Sequence, residues 1–256
     1  MDWIKNEILK GREILKKDWD LTEKVESDLS KGIKRPPFEK PFEQGSFLIE
    51  LPARENLKPF DISLWEAIFN RRSKRKYTED FLNIDELAFL LLATNGVKKI
   101  TPNVVFKTVP SGGAMHPIET YLIINRVKDL ERKDITKGLY RYLPIEHKLL
   151  LEKSYYEGMI EDFDDALNNQ FWDAAAYFVW TAIPYRMEYK YTVVSHKMIA
   201  IEAGHICQNL YLAVQAIGCG TCGIAAYSQK KMDKFLGIDG NDEFTIYCAP
   251  IGKVNQ

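Results

Sequence analysis

Arg71-Arg72-Ser73-Lys74-Arg75-Lys76-Tyr77 packs five cations and a serine hydroxyl into seven residues. The chain as a whole has a formal net charge of −1, so this is a local concentration and not part of a basic protein. Arginine presents a planar fork of donors that matches phosphate oxygens in pairs, and serine adds a compact donor. Taken alone the run admits three readings: a cradle for one phosphate of a cofactor, a nucleic-acid patch, or a solvated turn. The residues before it narrow its setting. Ser63-Leu-Trp-Glu-Ala-Ile-Phe-Asn70 has the form of a capping-box helix, with Ser63 as N-cap and Glu66 its reciprocal partner. That helix runs straight into Arg71, which holds the cations at the exit of a packed element.

The totals exclude several classes. With 256 residues there is room for one large domain or two small ones, and 46% hydrophobic with 28% charged content is ordinary for a soluble globular protein. A near-neutral chain lacks the broad basic face of a general nucleic-acid or anionic-membrane binder, so neither partner is expected. Residues 1–17 are charged throughout, without an apolar signal core, and no apolar run approaches the ~20 residues that span a bilayer. A cytoplasmic location is the expectation. Of the four cysteines, Cys219 and Cys222 form a CxxC pair. No second ligand pair accompanies it, and His116 and His205 are not spaced as a zinc set. Buried, reduced thiols and no metal are expected.

Along the chain, residues 3–17 read as an amphipathic helix. Residues 18–60 hold five prolines and one brief apolar run at 49–51, and read as an extended arm that wraps another surface. Phe38, Phe42, Phe47 and Phe60 look like its docking anchors. Residues 85–95 read as a helix closed by Gly96 as a C′ glycine. Strands are expected at 104–109, 120–127, 177–183 and 244–251, with a hairpin over 138–142 and 147–152. The near-continuous apolar run at 177–183 suits a central strand. An acidic helix is expected at 156–169 and a short one at 230–236. A long helix is expected at 193–218, where Ile199, Ala203, Ile206, Leu210, Ala213 and Ile217 recur in steps of four and three. Met198, Cys207, Leu212 and Val214 widen its apolar stripe, which predicts burial on several sides, with Glu202, His205 and Asn209 as a thin polar line. Two glycine-rich turns stand out, Pro110-Ser-Gly-Gly-Ala-Met-His-Pro117 and residues 218–226. Adjacent glycines let backbone approach a ligand with no Cβ in the way. Helices and strands mix without a regular βαβ repeat, which argues against a Rossmann nucleotide domain.

In order and spacing these motifs resemble the nitroreductase superfamily. The pattern is Arg-Arg-Ser-x-Arg-x-Tyr, a helix ending Ala-Thr-Asn-Gly, and then Pro-Ser-Gly-Gly-x-x-His-Pro-x-Glu. The chain is most similar to the SagB-type dehydrogenase branch, through Leu139-Tyr-Arg-Tyr142, Glu146-His147, Lys190-Tyr191, Ala203-Gly-His205 and Ala249-Pro-Ile-Gly252. The resemblance covers residues 28–253. It implies an α+β fold with a central, mainly antiparallel sheet surrounded by helices. It also implies an intertwined homodimer with FMN at the subunit interface. Residues 1–60 are then an N-terminal helix and arm, and 61–256 a nitroreductase-like flavin-binding domain.

Carried over from the resemblance, Arg71, Ser73 and Arg75, with Arg72 beside them, hold the flavin phosphate and ribityl chain. Pro110, Ser111, Gly112 and Gly113, with His116 in the same motif, approach the ring from the other subunit. Ile224, Ala225 and Ala226 supply backbone on the ring's other side. Lys190 and Tyr191 match the proton-removing Lys-Tyr pair of the azoline dehydrogenases. Val194 and Lys197 stand where arginines are common in that branch. A phosphate monoester carries about two negative charges near neutral pH, which suits paired arginines and a hydroxyl. The expected function is an FMN-dependent oxidoreductase that moves a hydride through flavin N5 in two steps. Its substrate would be a small molecule or a peptide heterocycle, with NAD(P)H a candidate electron donor. A non-catalytic flavin-binding, storage or regulatory protein is the alternative.

Overall fold

The computed structural model describes residues 2–58, 60–131 and 133–255. In chain order the elements are α1 (Asp2–Leu15), β1 (Leu48–Glu50), α2 (Leu64–Asn70), β2 (Leu82–Asn83), α3 (Ile84–Asn95), β3 (Val97–Ile100) and β4 (Val105–Lys107). Then come β5 (Ile118–Ile124), β6 (Val127–Lys128), β7 (Gly138–Leu143), β8 (Lys148–Ser154), α4 (Met159–Ala166) and β9 (Ala176–Ala182). The chain closes with α5 (Pro184–Tyr191), α6 (Ser195–Ala216), β10 (Cys219–Thr221), α7 (Gln229–Leu236) and β11 (Phe244–Lys253).

One seven-stranded sheet carries the fold, in the order β1-β8-β7-β5-β9-β11-β10. Every neighbouring pair in it is antiparallel. Successive side chains of a strand point to opposite faces. In β9 this splits Phe178 and Trp180 from Tyr177 and Val179, and both sets are fully buried because helices cover both faces. Phe178 and Trp180 share one core with Leu87 and Leu90 of α3 and Ile206 and Leu210 of α6. Tyr177 and Val179 share the other with Phe163 of α4 and Met232 of α7. Truncating Leu210 to Ala would cost about 2–5 kcal/mol through lost transfer energy and the cavity left behind. The α+β fold with a central antiparallel sheet and surrounding helices is thus what the chain adopts.

The arm is fastened to its own chain. β1 pairs with β8 and forms one edge of the sheet. The buried Arg141 guanidinium binds Glu152 and donates to the carbonyls of Lys40 (2.7 Å) and Pro41 (3.1 Å). Of the four expected anchors, Phe60 packs against Phe89, and Phe38 lies under Arg35. Phe42 and Phe47 are exposed.

Several local expectations are corrected. α3 starts one residue early, on a second capping box between Asn83 and Glu86. Gly96 follows α3 with φ −66°, not left-handed. It is needed for space, since a Cβ there would meet the Leu92 backbone. The acidic helix is only eight residues long, because left-handed Gly158 starts it and left-handed Asn168 and Asn169 follow it. The expected strand at 104–109 shortens to β4, paired with an unforeseen β3. Lys190 and Tyr191 close a separate helix, α5. A sharp break at Thr192 (φ 45°, ψ −121°) divides it from α6. α6 is buried along one side only: Ile201, Gly204, His205 and Gln208 are exposed. Glu202, placed on the polar line, instead points inward and is 4% exposed. Gly218, Gly220 and Gly223 have the G-x-G-x-x-G spacing of a dinucleotide fingerprint. Here they leave a helix and enter edge strand β10, the reverse of the strand-to-helix order that fingerprint needs.

Candidate functional site

The candidate residues fall into two groups at the two ends of α6. The first is the basic edge. Ser63 and Glu66 form the expected capping box, and Ala67 is the buried residue of α2. The chain then turns extended and lies along β10, where Ser73 bridges Thr221 and the Lys74 amide donates to the Thr221 carbonyl (2.9 Å). Tyr211 of α6 organises this end. Its hydroxyl is 3.0 Å from Ser73 Oγ and accepts from the Gly223 amide (2.8 Å), while Arg71 stacks over its ring. Arg75 stacks over Trp172. Among the described residues none of the five cations from Arg71 to Lys76 is in an ion pair, although fourteen pairs form elsewhere. A cavity of about 420 Å³ lies between residues 73–78 and Val254–Asn255.

The second glycine-rich turn belongs to this end. Ile224 exchanges both backbone hydrogen bonds with Cys248 (2.7 and 3.1 Å). The Ala226 carbonyl accepts from Asn168 and Gln170. Ala225 and Ala226 are exposed, whereas Ile224 is buried in the core. Cys207, Cys219, Cys222 and Cys248 are all free and buried nearby. Burial pushes the Cys207 and Cys219 thiols up to about 12, away from the thiolate form that reacts.

The second group is the Pro110–His116 turn. Gly113, Ala114 and His116 all have positive φ, a conformation that costs non-glycine residues free energy and persists only when held from outside. The hold is explicit. Ser111 Oγ accepts from the His116 amide (2.9 Å), His116 Nε2 meets the Val105 carbonyl (3.0 Å), and Arg35 donates to the Ala114 carbonyl (2.8 Å). Behind the turn lies a buried charge cluster. Arg186 of α5 pairs with Glu119 of β5 at 2.6 Å, both under 5% exposed. Burial opposes ionisation of Glu119, but Arg186, Lys107 and Arg141 outweigh it and hold its carboxyl below the usual range. Glu202 Oε1 faces His116 Nδ1 at 3.6 Å, and Glu202 Oε2 is buried without a hydrogen-bond partner. Lys107, also buried, is pushed down to about 8 by desolvation.

Lys190 and Tyr191 sit directly on this turn. A Cβ added to Gly113 would collide with the Tyr191 hydroxyl and lie 2.8 Å from Lys190 Nζ. A Cβ on Gly112 would strike the Met198 methyl. The glycines therefore make the room in which the Lys-Tyr pair stands. Thr192, in a conformation rare for a β-branched residue and with its Oγ1 buried and unpartnered, fixes where α5 stops. Met198 touches Gly112 and Tyr211 touches Ser73, thirteen residues further along α6. At 1.5 Å per residue the two groups are about 20 Å apart along the helix axis.

Lys107, Glu119, Arg186 and Glu202 were not foreseen as site residues. The available signal was a charge inside an apolar run, as at Lys107 and Glu119. Their pairing is long-range and invisible in sequence. Among the described residues no group of three or more His, Cys, Asp or Glu is arranged to hold a metal. Among the same residues no helix is long and apolar enough to cross a membrane.

The profile of the Nitroreductase family matches residues 68–253. A Methanocaldococcus jannaschii protein, MJ1384, named for the nitroreductases, is 31% identical over 209 residues, 80% of this chain and 96% of its own. The Escherichia coli microcin B17-processing protein McbC is 24% identical over 170 residues, 64% of this chain and 61% of its own length. In fold, a crystal structure from Anabaena variabilis, also named for the nitroreductases, aligns with a TM-score of 0.65 at 22% identity. It covers 82% of this chain, which spans 42% of that one. The E. coli McbBCD microcin synthetase complex aligns with a TM-score of 0.59 at 21% identity, over 81% and 79% of the two chains. Fold and sequence together define an oxidoreductase of the nitroreductase class. The chain belongs to the nitroreductase family.

Proposed function

We propose that the protein is an FMN-dependent oxidoreductase whose sites are completed by a second copy of the chain. The carrying observation is the basic edge, where five cations with no ion pair among the described residues stand with Ser73 beside a fixed backbone turn. The residues present suit the cofactor. Arg71, Arg72, Ser73 and Arg75 would hold its phosphate and ribityl chain. Gly223 and the 224–226 backbone would back the ring from the same copy, and Gly112 and Gly113 would meet it from the other. A separation of about 20 Å along α6 favours two copies over one. When bound, FMN would accept and return a hydride through N5, with a nicotinamide as candidate donor.

The protein's own part is positioning and proton handling. The Arg186–Glu119 pair and the His116 contacts hold the glycine turn rigid. Lys190 Nζ and the Tyr191 hydroxyl stand at the turn, where they would take a proton from a substrate as its hydride leaves. The resemblance to the SagB-type dehydrogenases supports a peptide-borne heterocycle as one substrate class, and membership of the nitroreductase family supports an electron-accepting aromatic as another.

The absorption spectrum of the purified protein tests the first claim. A flavin band is expected, and a colourless sample that stays so after incubation with FMN overturns it. Lys190→Ala separates the substrate classes. Flavin should remain bound, while proton-coupled dehydrogenation falls by at least about 100-fold and quinone reduction does not.

A further inference from the structure

A cavity of about 740 Å³ opens beside Lys190 and Gly113. One wall is the N-terminal arm, residues 34–38. The facing wall is the 102–104 loop, with Met115 and Tyr189. The arm wall is pinned on both sides. Arg35 donates to the carbonyls of Asn103 (2.6 Å) and Ala114 (2.8 Å), the Tyr189 hydroxyl donates to the Ile33 carbonyl (2.8 Å), and the Leu29 amide donates to the Tyr189 carbonyl (3.0 Å). Trp19 closes edge-on against Tyr191.

The chemistry of the lining is one-sided. Pro36, Pro37, Pro102, Phe38 and Val104 give it flat, apolar surfaces. Its three charged residues are Lys34, Arg35 and Lys190, and no acid lines it. Arg35 is committed to the two carbonyls and to Phe38, whereas Lys34 and Lys190 have no acidic partner among the described residues. The acids that flank this stretch of the arm are engaged elsewhere, Asp28 by the Tyr185 hydroxyl and Lys31 and Glu39 by the Ile145 amide. With Lys190 assigned to proton transfer, the free Lys34 ammonium on these apolar walls fits a ligand with a flat apolar body and a negative end.

We propose that this cavity is the substrate pocket and that it selects molecules bearing a carboxylate on a planar, apolar body. The inference deepens the flavin-oxidoreductase reading by naming the substrate class. Lys34 is then a specificity residue contributed by the arm, and it takes no part in proton transfer.

The test is calorimetric titration of the FMN-loaded protein with 4-nitrobenzoate and with 4-nitrobenzamide, at fixed salt. The acid should bind about ten-fold more tightly than the amide. Lys34→Ala should weaken the acid roughly five-fold and leave the amide unchanged. Lys34→Glu should reverse the preference. Equal affinity for the two probes, binding of neither, or indifference to both Lys34 variants overturns the proposal. The same titration on a preparation that takes up no flavin keeps the two readings apart. Discrimination there supports the anion pocket while the flavin reading falls, and equal affinity for the two probes there overturns the pocket as well.

Discussion

The two ends of α6 solve opposite electrostatic problems. At the basic edge, Arg72, Ser73, Lys74, Arg75 and Lys76 are exposed and have no counter-charge among the described residues. At the glycine turn, Glu119, Arg186, Glu202, His116 and Lys107 are all buried, and Glu119 and Arg186 answer each other. An unpaired cation in water costs little, so the edge can wait for an anion from outside. A buried charge costs several kcal/mol unless matched, so the turn has to be matched from within. The first end is built to receive, and the second to stay still. A sequence run reveals the first, because its charges are neighbours in the chain. The second is assembled from β4, β5, α5 and α6.

This contrast makes graded expectations. Removing one partner of the matched pair should have the largest effect. Glu119→Ala leaves Arg186 buried and also frees the Lys40 amide, and should destabilise the fold by about 3–5 kcal/mol in urea melts. A loss below about 1 kcal/mol would show that the cluster is hydrated and not matched from within.

Next comes the pH dependence set by Lys107. Its folded pKa is about 8 against an ordinary 10.5, because burial disfavours the ammonium form. Between those values the unfolded chain holds a proton that the folded chain lacks. Stability should therefore rise with pH from about 8 to 10.5, by at most a few kcal/mol at about 1.4 kcal/mol per unit. The penalty is fully present below pH 8. Lys107→Met should flatten the profile in that window.

Gly113→Ala should cost about 1–2 kcal/mol for a left-handed alanine. It should also displace Lys190 and Tyr191, so turnover drops by more than stability alone explains. Unchanged kcat in a folded variant would separate the Lys-Tyr pair from the chemistry. The smallest effects belong to the edge. Ser73→Ala and Arg75→Ala should each weaken FMN binding about five- to ten-fold with melts unchanged, at roughly 1 kcal/mol per hydrogen bond. Wild-type affinity in both would return the run to a solvated turn.

Local signals were legible in the sequence. The Ser63–Glu66 capping box sets α2, the apolar run at 177–183 marks the inner strand β9, and the four-three pattern from Ile199 marks α6. The equivalent box at Asn83–Glu86 carries the same signal and went unread, as did the fingerprint spacing at Gly218–Gly223. Where a motif depends on its neighbours, spacing misleads: only the order helix-to-strand disqualifies that fingerprint. α5 was missed because Tyr-Arg-Met-Glu-Tyr-Lys-Tyr shows no apolar period, though Pro184 at its first turn is a start signal. Glu202 was placed on a polar line because helical spacing cannot tell which face meets the sheet. The arm's attachment was illegible for a different reason. Its partners, Arg141, Asn103 and Tyr189, lie far along the chain.

The bridge between Ser73 and Thr221 has one more consequence. An outer strand with free amides and carbonyls invites pairing with the same strand of a neighbouring molecule, the first step toward fibrous aggregates. Here the three-residue β1 is itself one margin of the sheet, and Ser73 and Lys74 pair with β10 on the other, with the rest of the cationic run on either side of them. A neighbour approaching that margin meets five like charges. The residues offered to a phosphate thus also keep copies of the protein from stacking edge to edge.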